Sequence, residues 1–252
     1  MNRRGLLVAL GSTGLLGAVP VLAQPASSAT PSGPAAASAP GAPAARPAPP
    51  PLPKLVPLGD DRYRLGRIVV DQPARRFTVP GRIHALDKPL EYLATVPGGR
   101  KAYESLLELD ASGTEFNLAC ILVGLERDPR LPPSKPQREI PPGQRVALAV
   151  AWGEGDQRRV LSAAEALFNA EIRAQVETVE WAYIGSFTSI DGTQLAADFT
   201  GTLISFVPDP TGLIRMASGI GIGPYGSVRG SPKLPPEGSA IELIVQAVPV
   251  PK

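Results

Sequence analysis

The sequence predicts an α+β domain, a mainly antiparallel β-sheet with two short helices, preceded by a signal peptide and a disordered Pro/Ala-rich tether. Three observations carry this reading. The first 59 of 252 residues contain no acidic and no aromatic residue and hold 12 of the 30 prolines. Beyond them, short β-rich runs alternate with Pro-Gly and Asp-Gly turns. Two Ser-x-x-Glu capping boxes, at Ser112 and Ser162, mark the helix starts.

Arg3 and Arg4 precede an apolar run from Gly5 to Ala23, and Val21-Leu22-Ala23 offers small residues before Gln24, so residues 1–23 read as a secretory signal peptide. Gly11, Ser12, Thr13, Gly14, Gly17 and Pro20 interrupt a run that barely spans a bilayer, which favours cleavage over retention as an anchor. The arginine pair also suits twin-arginine export, but two arginines are common in ordinary leaders. Residues 24–57 hold 11 prolines and 10 alanines, with Arg46 and Lys54 as the only charges; such a linker cannot bury a core. In polyproline geometry it would reach on the order of 100 Å.

The domain is residues 58–252. Removing Arg3, Arg4, Arg46 and Lys54 from the 25 basic residues leaves 21 against 23 acidic ones, a formal charge of −2. The whole-chain pI of 8.8 therefore belongs to the leader and tether. Without a basic run, the domain has no electrostatic reason to bind nucleic acid.

Within the domain, Gly66–Asp71, Arg75–Val79 before Pro80-Gly81, Arg82–Leu86, Leu90–Val96 and Glu104–Leu109 read as strands of an opening meander. The Ser112 capping box opens a helix through about Leu125 that is apolar on nearly every face, hence buried. Residues 127–143, with six prolines, read as an ordered surface loop or lid. Arg145–Trp152 sets large residues at even positions against alanine at odd ones, which predicts a central strand whose Ala face admits a helix. Arg158–Leu161 returns as its hairpin partner, and the Ser162 capping box opens a second helix through about Ala174. Glu180–Ile190 and Thr193–Val207 flank Asp191-Gly192 as a hairpin, and Ile241–Gln246 closes the sheet with Ile241, Leu243 and Val245 on one face. About ten strands are expected.

The residue inventory limits the chemistry. His84 and Cys120 are the only histidine and cysteine, which excludes a one-chain structural zinc site or iron-sulfur cluster and any intrachain disulfide. A Ser-His-Asp hydrolase would have to use His84, and no Gly-x-Ser-x-Gly elbow is present. The acid pairs Asp60-Asp61, Asp87 with Glu91, and Asp191 with Asp198 match no EF-hand spacing, so no metal is expected. Gly221–Gly226 spells Gly-x-Gly-x-x-Gly, but Pro, Gly and Ser follow where a helix should start, so it reads as a loop. Pro97-Gly98-Gly99-Arg100-Lys101 is a better ligand candidate, because glycines beside cations can turn backbone amides toward an anion.

The segment Leu90–Ser105, followed by an apolar helix, resembles the opening motif of the YdjY-like domain family of bacterial exported proteins. Trp181–Ser186, Ala197-Asp198 and Gly201–Ser205 are similar to its second half, so the resemblance covers about residues 66–248. It implies export and fold, and carries over Glu91, Gly99, Glu104 and Ser105. Tyr103-Glu104-Ser105 stands where relatives often have His-Glu-Ser, and Thr95 stands near a position often held by Cys.

The candidate ligand-binding residues are thus Glu91, Gly98, Gly99, Arg100, Glu104 and Ser105, with no catalytic set and no cofactor. Adjacent strand positions should send Glu104 and Ser105 to opposite faces. The expectation is an exported, non-enzymatic module, periplasmic or secreted after leader cleavage, with no membrane span once mature. It would bind a protein or small molecule of the envelope. The alternative is an enzyme or redox accessory using acidic and backbone groups around Glu91 to Ser105; a self-associating structural protein is a third reading.

Overall fold

The computed structural model describes residues 53–127, 144–188, 192, 194–218 and 227–249. Among them β1 (Leu55–Gly59), β2 (Arg62–Leu65), β3 (Ile68–Asp71) and β4 (Arg76–Ile83) form an antiparallel meander, of which β3 and β4 match expected strands, whereas β1 and β2 were not expected and β1 begins within the stretch 24–57 read as linker. After β5 (Tyr92–Thr95), a 3-10 turn (Ala102–Glu104) and β6 (Ser105–Leu109) comes α1 (Gly113–Leu122). The hairpin of β7 (Arg145–Trp152) and β8 (Arg159–Ser162) leads to β9 (Leu167–Asn169), β10 (Ala174–Gln175) and β11 (Glu180–Tyr183). Next come α2 (Ala196–Thr200), β12 (Thr202–Ser205), β13 (Ile214–Ser218), β14 (Val228–Gly230) and β15 (Ala240–Ala247). The domain is mostly strand, with more strands than the ten expected.

The pairing closes on itself. Strand β4 pairs with β15, then β7, β11, β13, β12, β5 and β6 come in turn, and β6 pairs back onto β4. All these contacts are antiparallel except β12–β13 and β5–β6. Two strands fork. One edge of β4 is shared by β3 at Arg76–Thr78 and β6 at Gly81–Ile83, and one edge of β7 by β11 at its start and β8 at its end.

Pro80-Gly81, expected to end a strand, instead lies inside β4 at the first fork. The residue on that edge has no ladder neighbour to donate to, so a proline leaves no orphan N–H. Its carbonyl still accepts Asp110 N at 2.9 Å.

The even-numbered side chains of β7 and Ile241, Leu243 and Val245 of β15 enter the core as predicted. Phe116 of α1 meets Phe77 of β4 edge to face, centroids 5.2 Å apart at 86°, and the Ser112–Glu115 capping box is formed in both directions. The helix is not buried all round: Gly113, Phe116, Ala119 and Cys120 face inward while Ile121 is 52% exposed. Nor, among the described residues, does a helix cover the alanine face of β7, which runs from exposed Ala147 through half-buried Ala149 to buried Ala151.

Two further expectations are corrected. The Ser162–Glu165 box forms, but on a turn rather than a helix. Leu167–Asn169 then pairs with β14 and β10, and the Asn169 side chain accepts Glu171 N and Ile172 N, which diverts the backbone from a helix. Of the Asp191-Gly192 hairpin the described residues show one isolated bridge, Thr188 with Leu195, and Asp191 itself lies outside them. Of the residues read as its return strand, Ala196–Thr200 form α2, ended by Gly201 at φ +76, whose N–H reaches Ala197 O, while Thr202–Ser205 form strand β12. The loop 128–143 and the glycine motif 221–226 also lie outside the described residues. No helix among the described residues is long and apolar enough to cross a membrane.

Candidate functional site

The turn Pro97–Lys101 does not close a hairpin, because β5 and β6 run parallel, with Tyr92 beside Ser105 and Ala94 beside Leu107. It is part of a crossover that carries the chain back along β5 through the 3-10 turn. Glu104 therefore ends that turn, and β6 starts at Ser105.

This geometry divides the six candidate residues into three groups. Ser105 turns inward: it is fully buried and its hydroxyl donates to Leu107 O at 3.0 Å. Gly98, Gly99 and Arg100 serve the loop itself. Gly98 N donates to the Glu108 carboxylate at 3.3 Å. Gly99 lies against Gly201, where a Cβ would stand 3.2 Å from Gly201 O. Arg100 N donates to Thr200 O, and its guanidinium sits 4.0 Å over the Phe199 ring.

Glu91 and Glu104 form the third group, together at the base of the crossover. Glu91 N donates to Glu104 O at 3.1 Å, and Lys101 Nζ donates to Glu104 Oε1 at 2.6 Å and to Tyr103 Oη at 3.3 Å. Partial burial, then repulsion from Glu104, raises the Glu91 carboxyl, partly offset by Lys101. The hydrogen bond to Glu104 chiefly holds the Lys101 ammonium above its ordinary range. Burial, reinforced by the Asp209 carboxylate that its hydroxyl meets, lifts the Tyr92 phenol well above the usual value.

The raised Glu91 carboxyl binds its proton more tightly folded than unfolded. Its stabilising contribution is therefore present below the ordinary carboxylate range and is lost as pH rises through the raised value. Glu91→Gln is expected to raise the thermal midpoint at about pH 7 and leave it unchanged near about pH 3, where the carboxyl is protonated in both states. Melting curves at the two pH values check this.

Three participants lay outside the sequence reading of the site. Glu108 is 3% exposed and accepts Arg82 Nε at 2.8 Å and Arg82 Nη2, with His84 Nδ1 3.5 Å away. A single acid in the apolar strand Ser105–Leu109 was its signal. Tyr92 and Asp209 meet across 117 positions of sequence, a distance no local pattern encodes. The amides thought available to an external anion are thus spent within the fold, Gly98 N on Glu108. Among the described residues no three His, Cys, Asp or Glu side chains are grouped as metal ligands would be, and Cys120 is fully buried with its thiol raised by desolvation.

The second fork produces a concavity that the sequence did not show. Where β8 and β11 part company on β7, an open cleft of about 340 Å³ is lined by Ala147, Leu148, Ser162, Val179, Glu180 and Trp181, among others. Of the alanine positions of β7 only Ala147 lines it, beside Val146 and Leu148.

Comparison with curated proteins and with solved structures gives no match. The model of the YdjY domain family matches residues 68–246, from the first residue of β3 into β15, and so takes in the closed ring and both candidate surfaces. The chain belongs to the YdjY domain family.

Proposed function

We propose that this chain is an exported, non-enzymatic binding module of the cell envelope, periplasmic or secreted once its leader is removed, and that it receives a protein segment or small molecule in the cleft beside β7. One observation carries the reading. The reactive groups near residues 91–105 are engaged with one another, Ser105 with Leu107, Glu104 with Lys101 and Gly98 with Glu108. The cleft beside β7, by contrast, is open among the described residues and falls within the size range of small-ligand sites.

Native mass spectrometry of the mature protein, taken gently from its own compartment, should find a stoichiometric adduct, or cross-linking in cells should find a partner. Ala147→Trp, which fills the cleft from an exposed position, should remove either one with little change in melting temperature. Substrate turnover that Glu104→Ala abolishes would overturn the proposal in favour of an enzyme using Glu91 to Ser105. Against that second reading, Ser105 faces the core and cannot act with Glu104 on one substrate.

A further inference from the structure

We propose that the aromatic surface formed by the crossover and α2 rests on the lipid bilayer. The inference depends on export to the envelope and is independent of the cleft. Phe199 is 65% exposed, Tyr103 60% and Phe187 41%, unusual for large rings on a domain whose other aromatics are mostly buried. All three sit on short connections rather than in strands. Phe199 lies on α2, Tyr103 on the 3-10 turn, and Phe187 O caps the start of α2 by accepting Ala196 N.

Cations are set among the rings. The Arg100 guanidinium lies over Phe199, and Lys101 Nζ stands 5.8 Å from the Tyr92 centroid and 5.6 Å from that of Tyr103. Rings flanked by long cationic side chains suit the boundary between headgroups and acyl chains, where the ring is desolvated and the charge reaches back to water.

Two features favour a bilayer over a folded protein partner. Lys101 is held by Glu104 with Glu91 close by, and the Arg100 guanidinium is stacked on Phe199, so the patch offers no block of like charge to select a complementary protein, whereas a lipid interface needs none. The stretch upstream of β1, read as a leader and linker, also brings the domain out at a membrane face during export, before the leader is removed. With Lys101 paired to Glu104 and Arg100 lying over a ring, docking is driven by the aromatic side chains and depends little on acidic lipid.

The test is flotation of the mature chain with vesicles of phosphatidylcholine alone and with about 30 mol% phosphatidylglycerol. The chain should float with both, with at most a few-fold preference for the second, and salt from about 0.05 to 0.5 M should change little. Phe199→Ser with Tyr103→Ser should weaken binding about tenfold or more, leaving melting temperature and any cleft adduct intact. A chain that ignores both vesicles, or a double variant that floats as well as the parent, overturns the proposal. So does a protein cross-linked through Tyr103 in the absence of vesicle binding. Loss of the cleft adduct in Ala147→Trp with flotation retained would separate this surface from the binding function.

Discussion

Phe116→Ala is expected to lower the unfolding free energy by about 3–5 kcal/mol, a large fraction of the stability of a domain this size. The ring is fully buried and stands edge to face with Phe77, so truncation loses its transfer energy, the ring pair and the packing of the space it vacates. Relaxation is limited because Ala119 and Cys120, on the same inward face of α1, are also fully buried and too small to fill the gap. Urea unfolding followed by circular dichroism should show a lower midpoint at unchanged slope. Ile121→Ala, one residue from the buried cysteine but 52% exposed, is the control and should move stability by under about 0.5 kcal/mol. Equal effects from the two substitutions would mean that α1 docks by another face.

Gly81→Ala is expected to cost at least about 3 kcal/mol, or to abolish soluble expression. An added Cβ would stand 2.2 Å from Glu108 O and 3.0 Å from Leu109 Cα. Both are backbone atoms of β6, so no side-chain rotation relieves the clash, and β4 and β6 must separate. That ladder is the one that closes the ring. Gly98→Ala offers the contrast: its φ is +70 but nothing lies within 4 Å of the new Cβ, so only the backbone penalty of about 1 kcal/mol applies. If Gly81→Ala unfolds at the parental urea midpoint, β4 and β6 are not in contact and the ring is open there.

The elements legible in the sequence are those whose signals and partners are local. The β7–β8 hairpin, the capped start of α1 and the alternation of β15 all belong to this class. The Ser162 capping box misled because reciprocal bonds between Ser and Glu three residues apart need only one turn of backbone; the path of the chain beyond that turn is decided by β14, about sixty residues away. Thr193–Val207 misled similarly, since the helix Ala196–Thr200 depends on Ser186 Oγ accepting Ala197 N and on Asp198 accepting Thr114 N. Ring closure and the parallel β5–β6 pair leave no periodic trace. At the site, the meeting of Glu91 and Glu104 follows from the motif spacing only once that parallel register is known. The burial of Ser105 is not a matter of alternation, since Glu104 ends the 3-10 turn and all five residues of β6 are buried; it depends on the strands flanking β6.

The last described strand, β15, is the seam between β4, about 160 residues earlier, and β7, about 90 residues earlier. A growing polypeptide therefore carries two unmatched strand edges until synthesis has passed Ala247. Loop-closure entropy and the long sequence separation make that final step slow. The topology keeps the ring open at that seam until its last described strand is in place, so a chain cut short before Ala240 is left with two unsatisfied strand edges rather than a smaller closed domain.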